Sequence, residues 1–416
     1  MTTIDLRESV PADSAPHQPA LTGEEVRDLV RRAAELPGLA DRYRAVLADG
    51  APALTDVPVL TKDDFRALLP DLFARARSVP GGAVVFGSGG TTAAPKLSLM
   101  PSSLFITEIA AHWRPLTSDD VLVNCNNGAE LGSMYPFYNQ LGHATGAVVI
   151  PLGALDPEQL DGWLDFLEER GATALGGTPS HLAQVLEHYE ATGRRPGFRK
   201  LIWTGEAYSR RAAEAARRVL PEAEIHGVYG STETWVIGHN GPSCPLDTFH
   251  LLPYQHIEIE DGAVLVTNTH PDCVNPILRY RLGDRGELTA CPCGRTGPAL
   301  RVLGRDDQQL KFRSILFTPE EVAEAAGSDP EVRDVQLALF EPGTPGERLE
   351  LRVLLTPGAD AAAAEERVRR QVIGRLYRIG FELGSVPGAF TVRAVPRLWS
   401  NSRTGKTPLV VRDPEE

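Results

Sequence analysis

The chain has 416 residues with 42% hydrophobic side chains, enough for more than one core, and a formal net charge of -13. An acidic excess of that size argues against a nucleic-acid or anionic-membrane surface, since both recruit clustered Lys and Arg. No apolar run approaches the roughly 20 residues that cross a bilayer, and the first residues lack the basic start and apolar core of a signal peptide, so the expectation is a soluble, cytoplasmic protein. Five cysteines, few and odd in number, suit a reducing compartment where thiols stay free or hold a metal.

Residues 1–20 read as a disordered tail, and "TGEEVRDLVRRAAELPGLADRYRAVLA" behind them as a helical region. Next, the apolar run "AVVF" leads into "FGSGGTTAAPK", Phe86 to Lys96. A glycine- and hydroxyl-rich loop that ends in lysine can wrap a polyphosphate, yet taken alone such a loop is about as often a surface turn. It matches neither G-x-x-x-x-G-K-[ST] nor G-x-G-x-x-G before a helix.

From about residue 120 to 230 short apolar runs alternate with amphipathic stretches, the pattern of strands joined by crossover helices. "DVLVNC", "GAVVIPLG", "GATALGG", "RKLIWTGE" and "AEIHGVYG" read as strands. Asp156 and Pro157 open a helix with Leu160, Trp163, Leu164 and Leu167 on one face. Thr178 and Pro179 open another, carrying Leu182, Val185, Leu186 and Tyr189 and closed by Gly193, and a third runs from Tyr208 to Val219. The fold class is therefore α/β with at least some parallel strands. The turns "GGTPS", "WTGEA" and "VYGSTE" all fall at strand carboxyl ends, where ligands collect in such sheets.

"CPLDTFH" places Cys244 before His250, and "CPC" supplies Cys291 and Cys293. Together they offer a Cys3His set for a structural zinc, four protein ligands leaving no open position; surface thiols and a loop histidine are the alternative. Cys125 and Cys273 have no partner pattern and read as packing residues. Beyond residue 310 the order becomes α-β-β-α-β, through "PEEVAEAAG", "VRDVQLALF", "RLELRVLLT", a helix from Asp360 to about Phe381, and "AFTVRAVP", which suits a small separate domain.

"VYGSTE", "YRLGD", "LGRDDQQLKFR" and "SRTGK" follow the glycine-rich loop in that order. With it they resemble the adenylate-forming superfamily of acyl-CoA ligases, aryl-acid ligases and adenylation domains, over nearly the whole chain. "CPCGRTGPALRVLGR" and "VPVLTKDDFRALLP" are most similar to its phenylacetate-CoA ligase branch. The resemblance implies a large multi-sheet α/β amino-terminal domain over residues 21–306 and a small mobile α+β carboxy-terminal lid over 307–416, with the hinge at Asp307. It implies ATP-dependent conversion of a carboxylic acid to an acyl-adenylate with release of pyrophosphate, then transfer to CoA, a carrier-protein phosphopantetheine or an amine.

The same resemblance implies the site. Ser88, Gly89, Gly90, Thr91, Thr92 and Lys96 would hold the β- and γ-phosphates of ATP. Tyr229 would stack on adenine, beside Gly230 and Ser231 of the same motif; Thr232 would bond the α-phosphate and Glu233 would bind Mg²⁺. Gly205 and Glu206 would line the adenine and acyl pocket, and Asp284 with Arg305 would hold the ribose hydroxyls of the bound ATP or AMP. Lys406 would bridge acid and phosphate; alone, "SRTGK" would read as a solvated tail lysine. Two letters depart from the family pattern: Ala93, where the loop has glycine, and Ser314, where thioester-forming members have glycine beside the pantetheine tunnel. They keep open a catalytically reduced nucleotide-binding module that docks a partner in a biosynthetic assembly. The expected partners are a small aromatic or similar acid and CoA or an acyl carrier protein, with no nucleic acid and no membrane, and a homodimer is left open. Tyr135 and Trp235 stand as acyl-pocket candidates, and either could equally be core.

Overall fold

A computed structural model describes residues 18–88, 96–128, 131–155, 157–305, 310–312, 315–342, 347–376, 388–401 and 405–412. The chain forms two compact units. One takes the described residues up to Val85, Leu97–Phe105 and His226–Gly304; the other takes Phe86–Lys96, Ile106–Ile225 and the chain from Arg305 on.

In the first unit the helical region forms as the sequence suggests, broken where proline and turn residues intervene. Helix Gly23–Ala34 starts at a capping box in which Thr22 accepts from the Glu25 amide and Glu25 reaches back to the Thr22 amide, an arrangement worth about 1 kcal/mol. Val26, Leu29, Val30 and Ala33 recur at helical spacing and are buried. Pro37 opens a four-residue helix, Pro37–Ala40, and Arg44–Ala48, Lys62–Ala67 and Leu69–Ala76 follow. Their apolar faces pack with Ile237, Ile257, Val264, Leu282 and Leu300 in one core. Those residues lie on strands ordered Gln255–Glu260, Ala263–Asn268, Tyr280–Thr289, Ala299–Arg305, Thr248–Leu251, Trp235–Asn240 and Glu224–Ser231. The segment "VPVLTKDD" is sewn to this sheet by the Leu60 amide, which donates to the Arg279 carbonyl at 3.1 Å, and by the Arg281 amide, which donates to Leu60 at 2.9 Å.

The second unit carries the alternating pattern. Lys200–Thr204, Ala174–Gly177, Val121–Asn124 and Val148–Ile150 form a parallel sheet in that order. Helix Pro179–Ala191 is capped by Thr178 and buries Leu182, Val185, Leu186 and Tyr189; Gly193, at φ +68, follows its end. Helix Arg210–Val219 starts at Ser209 rather than Tyr208, because the Ser209 hydroxyl accepts from the Ala212 amide. Trp163 corrects the face expected for Pro157–Glu169. Leu160, Leu164 and Leu167 are buried, but Trp163 is 41% exposed and meets Phe166 edge-on; at 3.6 residues per turn it stands about 40° beyond Leu167, at the rim of the apolar stripe.

The carboxy-terminal part of this unit is a four-stranded sheet ordered Phe390–Ala394, Arg348–Leu355, Val332–Phe340 and Val410–Arg412. Helices Pro319–Gly327 and Ala361–Arg375 bury Val322 and Val368 in a core with Leu337, Leu351 and Phe390. The helix expected to run to about Phe381 ends at Arg375; residues 377–387 lie outside the described residues. Asp156, Gly89, Gly90, Thr91, Thr92, Ala93, Asp307 and Ser314 also lie outside them, as do the side chains of Ser88 and Lys96. Among the described residues no helix is long and apolar enough to cross a membrane.

Candidate active site

In the first unit the motif "VYGSTE" ends the strand Glu224–Ser231 and turns into the antiparallel strand Trp235–Asn240. The turn is tight: a Cβ on Gly230 would lie 2.0 Å from the Trp235 carbonyl oxygen, so only glycine fits. The Ser231 hydroxyl accepts from the Thr234 amide at 3.2 Å, and Trp235 takes φ +64. An aromatic residue at positive φ is strained, and here burial holds it, with the indole N–H donating to the Leu104 carbonyl at 2.9 Å. Trp235 is therefore core and not pocket lining.

Glu233 is buried, and its Oε1 accepts from the Tyr280 hydroxyl at 3.0 Å. Its carbonyl accepts from Asn275 Nδ2 at 2.9 Å, and the same amide donates to Ser98 Oγ at 2.8 Å. Thr232 beside it is half-buried. Tyr229 stacks on Phe249 at 5.1 Å, and its hydroxyl donates to Asp284 Oδ2 at 2.5 Å. Two motifs expected to serve adenine and ribose are thus joined directly, 55 residues apart in the chain. Sequence reasoning did not find Tyr280 as the partner of Glu233, although it stands in "YRLGD", and Asn275 carries no motif.

The same unit assembles the cysteine cluster. Cys244, His250, Cys291 and Cys293 bring their ligand atoms within 4.8 Å of one another, and His250 Nε2 lies 3.1 Å from Cys293 Sγ. Burial pushes the Cys291 thiol up to about 12. At Cys293 desolvation works the same way, but the Arg295 amide and hydrogen bonds from Cys291 and Cys244 outweigh it, so that thiol sits below its ordinary value. Three sulfurs and an imidazole converging on one point are the donor set of a tetrahedral zinc. Cys125 is buried, which pushes its thiol up to about 12; Cys273 is half-buried, its thiol raised likewise by desolvation and donating to the Asn275 carbonyl at 3.3 Å.

In the second unit the turns "GGTPS" and "WTGEA" meet the loop that bears Lys406. Gly205 adopts φ +91, and a Cβ there would lie 2.9 Å from Lys406 Cε and 3.3 Å from Nζ, so the lysine stem passes over the glycine. Thr178 Oγ1 donates to the Gly405 carbonyl at 3.1 Å. Glu206 Oε1 accepts from the Ser180 amide at 2.7 Å, and Oε2 accepts from the Thr407 amide at 3.0 Å. Desolvation raises the Glu206 carboxyl, offset by hydrogen bonds with Ser180 and by the charge of Lys406. Arg305 is half-buried and its charge acts on Glu320. Tyr135 is half-buried with its hydroxyl on the Pro151 carbonyl at 3.4 Å.

The AMP-binding enzyme family model matches residues 53–288. An indoleacetate–lysine synthetase of Pseudomonas savastanoi is 28% identical over 200 residues, 46% of this chain and 48% of that protein, so the chain aligns with about half its length. A phenylacetate-coenzyme A ligase of Aromatoleum evansii is 24% identical over 349 residues, 78% of each chain. Among solved structures, a 2-hydroxyisobutyryl-CoA ligase in the postadenylation state superposes with a TM-score of 0.67 at 17% identity, covering 94% of this chain and 88% of that one, which establishes the fold.

Proposed function

This chain belongs to the AMP-binding enzyme family, and from that premise we propose that it is an acid-activating ligase that forms an acyl-adenylate from ATP and an aromatic or similar small carboxylic acid. The observation that carries this reading is Lys406 drawn over Gly205 at the strand-end turn. A cation held at that turn supplies the charge neutralisation that a carboxylate approaching a phosphate requires.

The chemistry is a displacement at phosphorus. A carboxylate oxygen of the acid bonds to the α-phosphorus, the bond to the β-phosphate breaks, and pyrophosphate leaves with that electron pair. Two anions must approach, so cationic and hydrogen-bonding groups carry the catalysis. Lys406 bridges the acid and the α-phosphate, and Thr232 donates to the latter. Glu233 would hold Mg²⁺, which would neutralise phosphate charge; a buried carboxylate oriented by Tyr280 fits a hard cation that wants oxygen. Tyr229 packs adenine, Asp284 and Arg305 take the ribose hydroxyls, and the backbone at Gly205 and Glu206 lines the pocket. The loop from Ser88 to Lys96 holds the outer phosphates, and Asp307 is the hinge of a lid over residues 307–416.

The acceptor is a thiol or an amine. The relatives include both a CoA ligase and a lysine-conjugating synthetase, which supports keeping CoA, a carrier-protein phosphopantetheine and an amine together. The Cys3His cluster would hold a structural zinc in the cytoplasm, where all five thiols, free here, stay reduced. The test is a panel of benzoic, phenylacetic, indoleacetic and heteroaromatic acids with ATP and Mg²⁺, reading pyrophosphate with and without CoA or lysine. Release that needs one acid supports the ligase; ATP binding with silence across the panel supports the non-catalytic module.

A further inference from the structure

We propose that Glu206 is a positioning residue whose carboxylate clasps the Lys406 loop to the strand-end turn. Its use to catalysis rests on the ligase reading above; the clasp itself does not.

The two oxygens of Glu206 are spent on two different parts of the chain. Oε1 takes the Ser180 amide at 2.7 Å, in the first turn of helix Pro179–Ala191, where backbone N–H groups lack partners within the helix. Oε2 takes the Thr407 amide at 3.0 Å. On the other side of Lys406, the Gly405 carbonyl accepts from Thr178 Oγ1 at 3.1 Å. Lys406 is therefore flanked on both sides by residues bonded to the body of the unit.

The loop is also closed on itself, the Gly405 amide donating to the Asn401 carbonyl and the Asn401 amide to the Lys406 carbonyl, each at 2.8 Å. Gly205 completes the seat by leaving no side chain in the path of the lysine stem. An acceptor-only carboxylate with two oxygens is what this junction requires. A glutamine keeps one acceptor and turns an N–H₂ group against the second amide. Alanine removes both.

Amide hydrogen exchange, read by mass spectrometry on the peptide spanning residues 401–409, tests this without any substrate. In Glu206→Ala, protection of Gly405–Thr407 is expected to fall about tenfold, the size of a lost charge-assisted hydrogen bond. Glu206→Gln should fall between Ala and wild type, and Glu206→Asp should recover part of the protection. Tryptic cleavage after Lys406 should rise in the same order. Exchange in strand Phe390–Ala394 should stay put, which a general loosening would not allow. Unchanged exchange at 405–407 in both Glu206→Ala and Glu206→Gln overturns the clasp, as does equal loss of protection in the strand. Silence of the acid panel would remove the ligase reading and leave this result intact.

Discussion

The Glu233 turn and the Lys406 loop each present a charged group proposed for phosphate chemistry, and each is held within its own unit in a different way. Glu233 is buried, with Tyr280 on its carboxylate and Asn275 on its carbonyl, and the turn rests on the buried Trp235. Lys406 is half-buried on a loop fastened through Thr178, Glu206 and Asn401. Moving Glu233 means breaking a packed core and orphaning buried polar groups. Moving Lys406 means giving up a few hydrogen bonds at roughly 1 kcal/mol each, which is a range thermal motion samples. Burial fits the ion-holding role proposed for Glu233, and a releasable loop fits the proposal that Lys406 serves one step and then withdraws.

The most severe way to break the comparison is at Lys406. Lys406→Ala should cut pyrophosphate release with the cognate acid on the order of 10²–10³-fold, the usual loss when one preorganised charge is removed from a developing anion. The melting temperature should move little beside that, by no more than the loss of one charge facing Glu206. Unchanged release would show that the role given to Lys406 is wrong.

Cys291→Ser probes the first unit instead. Metal analysis should find about one zinc per chain in the wild type and none in the variant, with stability down by roughly 3 kcal/mol in thermal melts, since a closed site lends its binding energy to folding. Absence of zinc from the wild type, or an unmoved melt, would reduce the cluster to neighbouring thiols.

Asn275→Ala should come next. Its amide donates to both Glu233 and Ser98 while its oxygen accepts from the Leu99 amide at 3.4 Å, so truncation strands buried polar atoms at about 2 kcal/mol. If the turn is preformed as argued, Mg²⁺ dependence should weaken along with the melt. A changed melt with an unchanged Mg²⁺ requirement would separate Asn275 from the ion site.

The parallel half of the fold was legible because its signals are local: Thr178, Pro179 and the 3.6-residue spacing from Leu182 to Tyr189 lie within one helix. The strands from Trp235 to Arg305 were not read one by one. They alternate weakly, since several are buried on both faces, as the unbroken burial of Trp235–Asn240 and Ala263–Asn268 shows. The site residues surfaced through ordered motifs, and their partners did not. Asn275 in "CVNPILRY" has neither period nor motif, and that Glu206 spends its oxygens on Ser180 and Thr407 depends on a contact spanning 201 residues. Trp163 failed for a plainer reason: periodicity gives an angle, and a residue at the rim of a stripe can face either way.

The smallest expected effect concerns how the carboxy-terminal part is fastened away from Lys406. Glu187 on helix Pro179–Ala191 accepts from Arg211 at 2.7 Å and from Arg333 on strand Val332–Phe340, and Arg210 donates to the Gly327 carbonyl at 3.0 Å. Desolvation alone would raise the Glu187 carboxyl, but the Arg211 hydrogen bond and the charges of Arg211 and Arg333 hold it below its ordinary value. A depressed folded value means the stabilisation is complete above the ordinary carboxylate range and is lost as pH falls through the folded one. Arg333→Ala should therefore cost about 1 kcal/mol near neutral pH, and the two melting curves should stay apart down to the ordinary carboxylate value of 4.5 and converge only below it. A cost that stays constant with pH would mean that Arg333 acts by packing rather than through the charge of Glu187.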